Sequence, residues 1–235
     1  MKKYELTEET KTLADGTVLH RIRALMDISR YAVKSGDLGG WIEKENNLSQ
    51  DGDAFVCGDA LVYGNAFVSG DALLYGYAKV YGNACVSGDA LVSGNAEVYC
   101  DAKVYGNAWV SGGAFVSGNA EVYCDAFVSG NAKVSGDAFV SGNACVCDNA
   151  EVCGDAKVKA PYDYAVYKNI WSSGRWFTYT RSNKKWKVGC FYGTGEELIA
   201  KAYKDSKLSG KCYEAIVHAV KTIEAAKAEA KGETK

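Results

Sequence analysis

From Gly52 to Lys159 the chain repeats one six-residue frame eighteen times with no insertion. It runs GDAFVC, GDALVY, GNAFVS, GDALLY and so on to GDAKVK. In its commonest form the frame is Gly, Asp or Asn, Ala, a variable residue, Val, and then Tyr, Ser or Cys. The third position is Ala in all eighteen hexads, from Ala54 to Ala156, and the fifth is Val in all but one, where Leu74 stands. A period this strict means that each unit must bury its apolar face against its neighbours in a stack.

Ala and Val stand two apart, so on a strand they share one face, and the variable residue between them points the other way. Each hexad is therefore predicted as a short strand with a small and a β-branched residue inside. The Gly-Asp or Gly-Asn pair bends the chain, because these residues tolerate positive φ. Three bends close a turn, so a coil takes 18 residues and the 108 residues of the repeat make six coils. The expected architecture is mainly β, a triangular prism of parallel strands around a thin Ala/Val core.

This frame resembles the left-handed parallel β-helix of hexapeptide-repeat proteins. The hand comes from that resemblance, since the general rule for parallel crossovers favours the right-handed form. Upstream, Arg21-Ile22-Arg23-Ala24-Leu25, Val33-Lys34-Ser35-Gly36-Asp37-Leu38-Gly39-Gly40-Trp41-Ile42 and Asn47-Leu48-Ser49-Gln50-Asp51-Gly52-Asp53 look like the opening module of YdcK-type hexapeptide-repeat proteins. Similar modules occur in phage and prophage proteins, and the likeness covers about residues 20–159. Ile42 and Leu48 fall in phase with the Ala column at Ala54, so a coil is expected from near Gly40, giving six to seven coils over residues 40–159. Before it, Tyr4–Leu6 and Thr17–Leu25 around Ala14-Asp15-Gly16 read as a hairpin. Over residues 1–39 that hairpin is expected to cap the open end of the helix and hide its edge.

The only Pro, Pro161, ends the repeat, and residues 160–235 read as a small α+β domain of three strands and two helices. Strand-like runs cover Tyr164–Trp171, Trp176–Arg181 and Lys185–Phe191. Thr194 and Glu197 form a capping box ahead of Leu198, Ile199, Ala202 and Tyr203 at helical spacing. A second helix is predicted with Cys212, Ile216, Val220 and Ile223 on one face, and Ala225 to Lys235 as its fraying end. This part is similar to C-terminal pieces of phage proteins, a likeness that implies no activity.

Composition bears on chemistry. Acyltransferases that resemble this frame use a coil His as general base and extrude a loop from the coils. Here no His lies between residues 52 and 159, and no hexad is broken. The γ-class carbonic anhydrases on the same fold bind zinc with three His, whereas this chain has two, His20 and His218, at opposite ends. A base poised near neutral pH is most readily His, so no catalytic residue is expected. No cofactor is implied. Of the nine Cys, only Cys145, Cys147 and Cys153 cluster, without the paired short spacing that zinc sites use. They read as small residues standing in for Ser or Gly, and no metal site is expected. Asp53, Asp71 and Asp89 stack at one corner, where a cation such as Ca²⁺ could relieve their repulsion. Asn107 and Asn143 continue that column, which favours a solvated ladder instead.

No apolar run reaches the ~18 residues of a membrane span, and Met1-Lys2-Lys3-Tyr4-Glu5 leads into no secretory h-region. The expected setting is cytoplasmic, the host cytoplasm for a phage-encoded protein, with reduced thiols. Charge is uneven. Residues 52–159 hold 12 acidic and 5 basic residues, and residues 160–235 hold 8 and 14. In the tail Arg175, Trp176, Arg181, Lys184 and Lys185 interleave basic with aromatic side chains. Such a pattern can bind another protein or single-stranded nucleic acid, and it also arises where aromatics pack under helices and cations solvate the outer face.

Sorting the outward fourth positions by face separates charge from apolar surface. One face reads Phe55, Leu73, Leu91, Trp109, Phe127, Cys145 and carries no charge. The others read Leu61, Lys79, Glu97, Phe115, Lys133, Glu151 and Phe67, Cys85, Lys103, Glu121, Phe139, Lys157. An apolar stripe of this kind marks an interface. Self-association as a dimer or trimer through Phe55, Leu73, Leu91, Trp109 and Phe127 is the first expectation, with coverage by the C-terminal domain as the second. The functional reading is a non-catalytic binding and assembly protein of phage or prophage type, in its specific form an inhibitor of a host defence component. A degenerate acyltransferase-like enzyme, with substrate held between subunits, and a structural scaffold stay open as alternatives.

Overall fold

In the computed structural model, which describes residues 2–232, the first residue of every hexad lies in the left-handed region, with φ between 59° and 73°. Most are Gly, and the chain needs them twice over. A side chain is strained at this φ, and a Cβ on Gly88 would stand 2.8 Å from the Gly106 nitrogen of the next coil. The Asp or Asn that follows does not share the left-handed conformation. It instead donates its backbone N–H to the next coil, as from Asn65 to the Gly82 carbonyl at 2.7 Å. Cys100, Cys124 and Asp148 occupy the glycine position at φ near 60°. Left-handed backbone costs a residue with a Cβ about 1–2 kcal/mol. Cys100→Gly and Cys124→Gly are therefore expected to raise stability by about 1 kcal/mol each, read as a higher melting temperature. A fall on both substitutions would show that the thiols, and not the backbone, decide these corners.

Between the corners lie eighteen two-residue strands, from Phe55–Val56 to Lys157–Val158. Each pairs in parallel with the strand three hexads on: Leu73 lies opposite Leu91, and Val92 opposite Val110. Backbone bonds climb the stack in step, as from Leu91 N–H to Ala108 C=O at 2.9 Å. The Ala and Val columns are at most 1 % exposed throughout. The result is a β-solenoid of about seven turns with three parallel faces, as the period requires.

The faces differ at their N-terminal end. β1 (Tyr4–Thr12) and β2 (Val18–Ala24) form the expected hairpin, Tyr4 opposite Ala24. β2 pairs antiparallel with β3 (Leu38–Ile42), and β3 pairs in parallel with the Leu61–Val62 strand, so this face is a nine-stranded sheet while the other two have six. The opening coil is out of phase with the Ala column. Ile42 lies opposite Val62, and Leu48 opposite Val68, where an 18-residue coil would bring each to an Ala. Two extra residues in the bend after Leu48 account for the shift.

The N-terminal strand is held to that coil by buried polar contacts. Tyr4 is fully buried, and its hydroxyl donates to the Glu45 and Leu48 carbonyls at 2.9 and 2.7 Å. Gln50 Oε1 accepts from Lys3 N–H at 2.7 Å, and its Nε2 donates to the Tyr4 carbonyl at 3.2 Å. Lys3 is 2 % exposed, and its Nζ donates to the Gly52 carbonyl at 3.1 Å. Burial pushes this ammonium down from 10.5 to about 8, against the opposing pull of Asp53, Asp51 and Asp71. Between those two values the unfolded chain holds the proton and the folded chain has released it. Folding stability therefore rises with pH across that window. Tyr4, raised by burial, pulls the other way once unfolded tyrosines ionise. The comparison with Lys3→Met, which keeps Tyr4, isolates the lysine. The stability of the wild type relative to Lys3→Met is expected to increase from pH 8 to 10.5. A flat difference across that window would show that Lys3 is not desolvated.

The chain divides into two compact units between Tyr164 and Ala165, so hairpin and rod form one unit. In the second, strands Tyr164–Lys168, Trp176–Thr180, Lys185–Val188 and Phe191–Gly193 form one sheet in that order. The third predicted run thus splits in two. Gly189 turns the chain at φ 54°, and Phe191 folds back opposite Val188. α1 (Gly195–Asp205) starts at the predicted capping box. Thr194 Oγ1 accepts from Glu197 N–H at 3.3 Å, and Glu197 Oε2 accepts from Thr194 N–H at 2.7 Å. α2 (Lys207–Gly232) is continuous through the stretch from Ala225 that was expected to fray, and residues 233–235 of that stretch lie outside the described residues. Its buried face is Val217 and Val220, with Tyr213 and Ile216 half-buried. Ile223, expected on that face, is 48 % exposed, because the sheet and α1 cover only the first half of the helix.

Candidate functional site

The rungs bring the outward residues into the predicted columns. Phe55, Leu73, Leu91, Trp109, Phe127 and Cys145 lie opposite one another in sequence up one face. On the other two faces, charges find partners within the rod. Lys79 pairs with Glu97 at 2.9 Å, Lys103 with Glu121 at 3.2 Å and Lys133 with Glu151 at 3.7 Å. Tyrosines complete two of these sets: Tyr81 donates to Glu97 at 3.0 Å and Tyr105 to Glu121 at 2.9 Å. The rings themselves stack nearly parallel, Tyr63 on Tyr81 on Tyr99 and Tyr105 on Tyr123, with centroids 5.0 to 5.1 Å apart. Burial and the neighbouring Glu121 push Tyr105 up to about 12, so its hydroxyl stays a protonated donor at neutral pH.

The uncharged face has no such network. Trp109 stands 40 % exposed, edge-on to Phe127 at 5.2 Å, with its indole N–H donating to Ser93 Oγ at 3.3 Å. Leu73, Leu91, Phe127 and Cys145 are half-buried by their own stacking. Phe55, the predicted first member, is 1 % exposed and offers no surface. The Ile28–Asp37 segment of the cap lies at this end: the Tyr31 hydroxyl donates to the Asp71 carbonyl, and burial, with a smaller contribution from Asp37, pushes the Cys57 thiol up to about 11. The accessible stripe therefore has five rungs, Leu73 to Cys145, about 19 Å long at the ~4.8 Å spacing of paired strands.

The same segment decides the aspartate corner. Arg30 extends its guanidinium along the ladder, Nη1 to Asp71 at 3.1 Å and Nη2 to Asp89 at 2.6 Å. A side chain from outside the repeat thus supplies the positive charge that the stacked carboxylates need. Lower down, the Asn–Asp alternation is itself the remedy. Asn107 donates to Asp125 in that column, and Asn119 to Asp137 at another corner, both at 2.8 Å. Among the described residues no group of three or more His, Cys, Asp or Glu is arranged to hold a metal ion. The nine Cys form no disulfide, and Cys147 Sγ lies 3.8 Å from the Tyr164 hydroxyl, which also accepts the Cys147 N–H at 3.3 Å.

The members of the basic-aromatic tail and the aromatics between them differ in burial. Phe177, Tyr179 and Trp186 are in the core with Val188, Leu198, Val217 and Val220. Trp176 is half-buried, with Lys168 over its ring at 5.4 Å. Arg181 is engaged by Glu224, its Nη2 at 2.9 Å. Arg175 and Lys184 are exposed, and Lys185 is half-buried. Alternation along Lys185–Val188, outward Lys and inward Trp or Val, explains the interleaving.

A family model described as YdcK Beta solenoid repeat matches residues 54–70. Residues 54–70 carry a YdcK-type β-solenoid repeat. The matched residues hold the first corners and rungs, Phe55–Val56, Leu61–Val62 and Phe67–Val68, whose geometry the later hexads repeat. No curated protein matches the chain. Among the described residues no helix is long and apolar enough to cross a membrane.

Proposed function

We propose that this YdcK-type repeat protein is a non-catalytic binding and assembly protein whose rod associates with further copies of itself through the uncharged face. One observation carries the reading: charged rungs on two faces are paired within the rod, while the third face presents Leu73, Leu91, Trp109 and Phe127 with no charge at all. A face of this kind loses little on leaving water and gains roughly 25 cal/mol for each Å² of apolar surface covered. The faces with Lys–Glu–Tyr sets would have to surrender their hydration to do the same. The absence of a His within the coils supports a role without turnover. The likeness of the opening module supports a phage or prophage setting, and the narrower form of the reading has a host defence component as the partner. Sedimentation velocity tests the assembly: a dimer or trimer is expected, and a 25.2 kDa monomer at micromolar concentration would overturn it. Turnover of an acyl-CoA by the purified protein would overturn the non-catalytic half.

A further inference from the structure

The second unit contains a cavity of about 550 Å³ that the rod-based reading does not use. It lies between the sheet, the start of α1 and the middle of α2. Its apolar wall is made by Tyr179, Trp186, Val217 and Val220, and Ala228 stands at its edge. The volume is that of a small-molecule site.

Three features give this cavity a polar end. Trp186 is 2 % exposed, and its indole Nε1 has no hydrogen-bond partner among the described residues. It faces the start of α1: a Cβ on Gly195 would lie 3.3 Å from it. Among the described residues the polar side-chain atom sealed in without a partner is Trp171 Nε1; the Trp186 nitrogen is not sealed in, so an acceptor entering the cavity can reach it. The second feature is α1 itself. Thr194 takes the Glu197 N–H and its carbonyl takes that of Leu198, which leaves the N–H of Gly195, the first helical residue and part of the cavity lining, without a backbone carbonyl. The third is charge. Glu196 is held by Lys221, and Glu224 by Arg181, so the carboxylates at the rim are already neutralised. Lys184, in a left-handed turn at φ 54°, remains as an exposed cation on the lining.

We infer that this cavity binds a small organic carboxylate with a flat apolar body. The carboxylate accepts from Trp186 Nε1–H and from the Gly195 N–H, with Lys184 as its counter-charge. The body lies along Val217 and Val220. An uncharged apolar ligand would leave the indole N–H unsatisfied, and a bare inorganic anion would leave the wall wet.

Naphthylacetate is the probe. Titration calorimetry with the full chain should show saturable binding. The Trp186 indole N–H resonance, assigned by its loss in Trp186→Phe, should move downfield as it gains an acceptor. Lys184→Gly removes the charge at a turn that glycine adopts freely, so it should leave the melting temperature unchanged or raised and weaken binding about fivefold to tenfold. Ala228→Trp, at an exposed helical position, should fill the edge of the cavity and abolish binding. No heat and no movement of the Trp186 resonance at millimolar naphthylacetate would overturn the proposal. Equal affinity for neutral naphthylethanol would overturn the carboxylate, and equal affinity for inorganic phosphate would overturn the apolar body.

Discussion

Leu91→Lys combined with Trp109→Lys is expected to turn an assembled rod into a monomer in sedimentation velocity, with an unchanged circular dichroism spectrum. Both positions point outward, and the inward neighbours Val92 and Val110 are fully buried. In a separate rod each ammonium reaches water along its own stem. In an assembly the same ammoniums are trapped mid-stripe, where no carboxylate stands within the face. Desolvating an unpaired charge costs several kcal/mol. Each 1.4 kcal/mol is tenfold in the dissociation constant, so two such charges per protomer exceed what a modest apolar patch supplies. The rod itself loses the Trp109–Phe127 edge contact, about 1 kcal/mol, too little to unfold it. Phe115→Lys is the control. It lies on a charged face between Glu97 and Lys133 and should leave the assembly intact. A double variant that still sediments with the wild type would remove the uncharged face from the interface.

The second large effect comes from inside the rod. Val110→Asp should destabilise the repeat by at least about 3 kcal/mol and open it to protease within Gly52–Lys159. Val110 is fully buried, and the columns around it consist of Ala and Val, such as Ala108, Ala126, Val92 and Val128. None offers a side-chain donor to a carboxylate, and the backbone N–H groups are already committed from rung to rung, as from Trp109 to the Ala126 carbonyl at 2.9 Å. The carboxyl would stay protonated in the folded state and ionise when unfolded. The deficit therefore grows as pH rises above ~4, the unfolded carboxyl value, and shrinks below it. Because each coil touches only its neighbours, the damage should be local, with cleavage first near residue 110. Wild type is expected to be cut first at Pro161–Asp163, where the repeat ends. A variant within about 1 kcal/mol of wild type and resistant inside the coils would show a core looser than the Ala and Val columns imply.

Part of this is legible in the sequence. Pairing of Leu73 with Leu91 and of Lys79 with Glu97 was legible because a strict 18-residue coil leaves only one register for stacking. The Thr194–Glu197 box was legible for a similar reason, since both partners lie within one helical turn. The candidate cavity was not. Trp186 and Gly195 are near in sequence, but Val217, Val220 and Lys221 reach them only when α2 folds back, and no spacing announces that.

The amino-acid sequence by itself determined the rod: its rungs, its three faces, the segregation of charge away from one of them, and a Cβ-free left-handed corner at most hexads. Each of these follows from period-two alternation and local backbone preference, which act within a few residues. Tertiary structure alone decided the two-residue phase shift at Ile42 and Leu48, the burial of Phe55, the two-strand division of Lys185–Phe191, and the placing of Arg30 on Asp71 and Asp89. For the shift, Phe55 and Arg30 the reason is contact across long sequence separation, between segments with no shared period. Arg30 lies 41 residues from Asp71. Such a contact is chosen by the summed packing and charge of the folded unit, where stacked carboxylates repel one another and a guanidinium beside them relieves that repulsion.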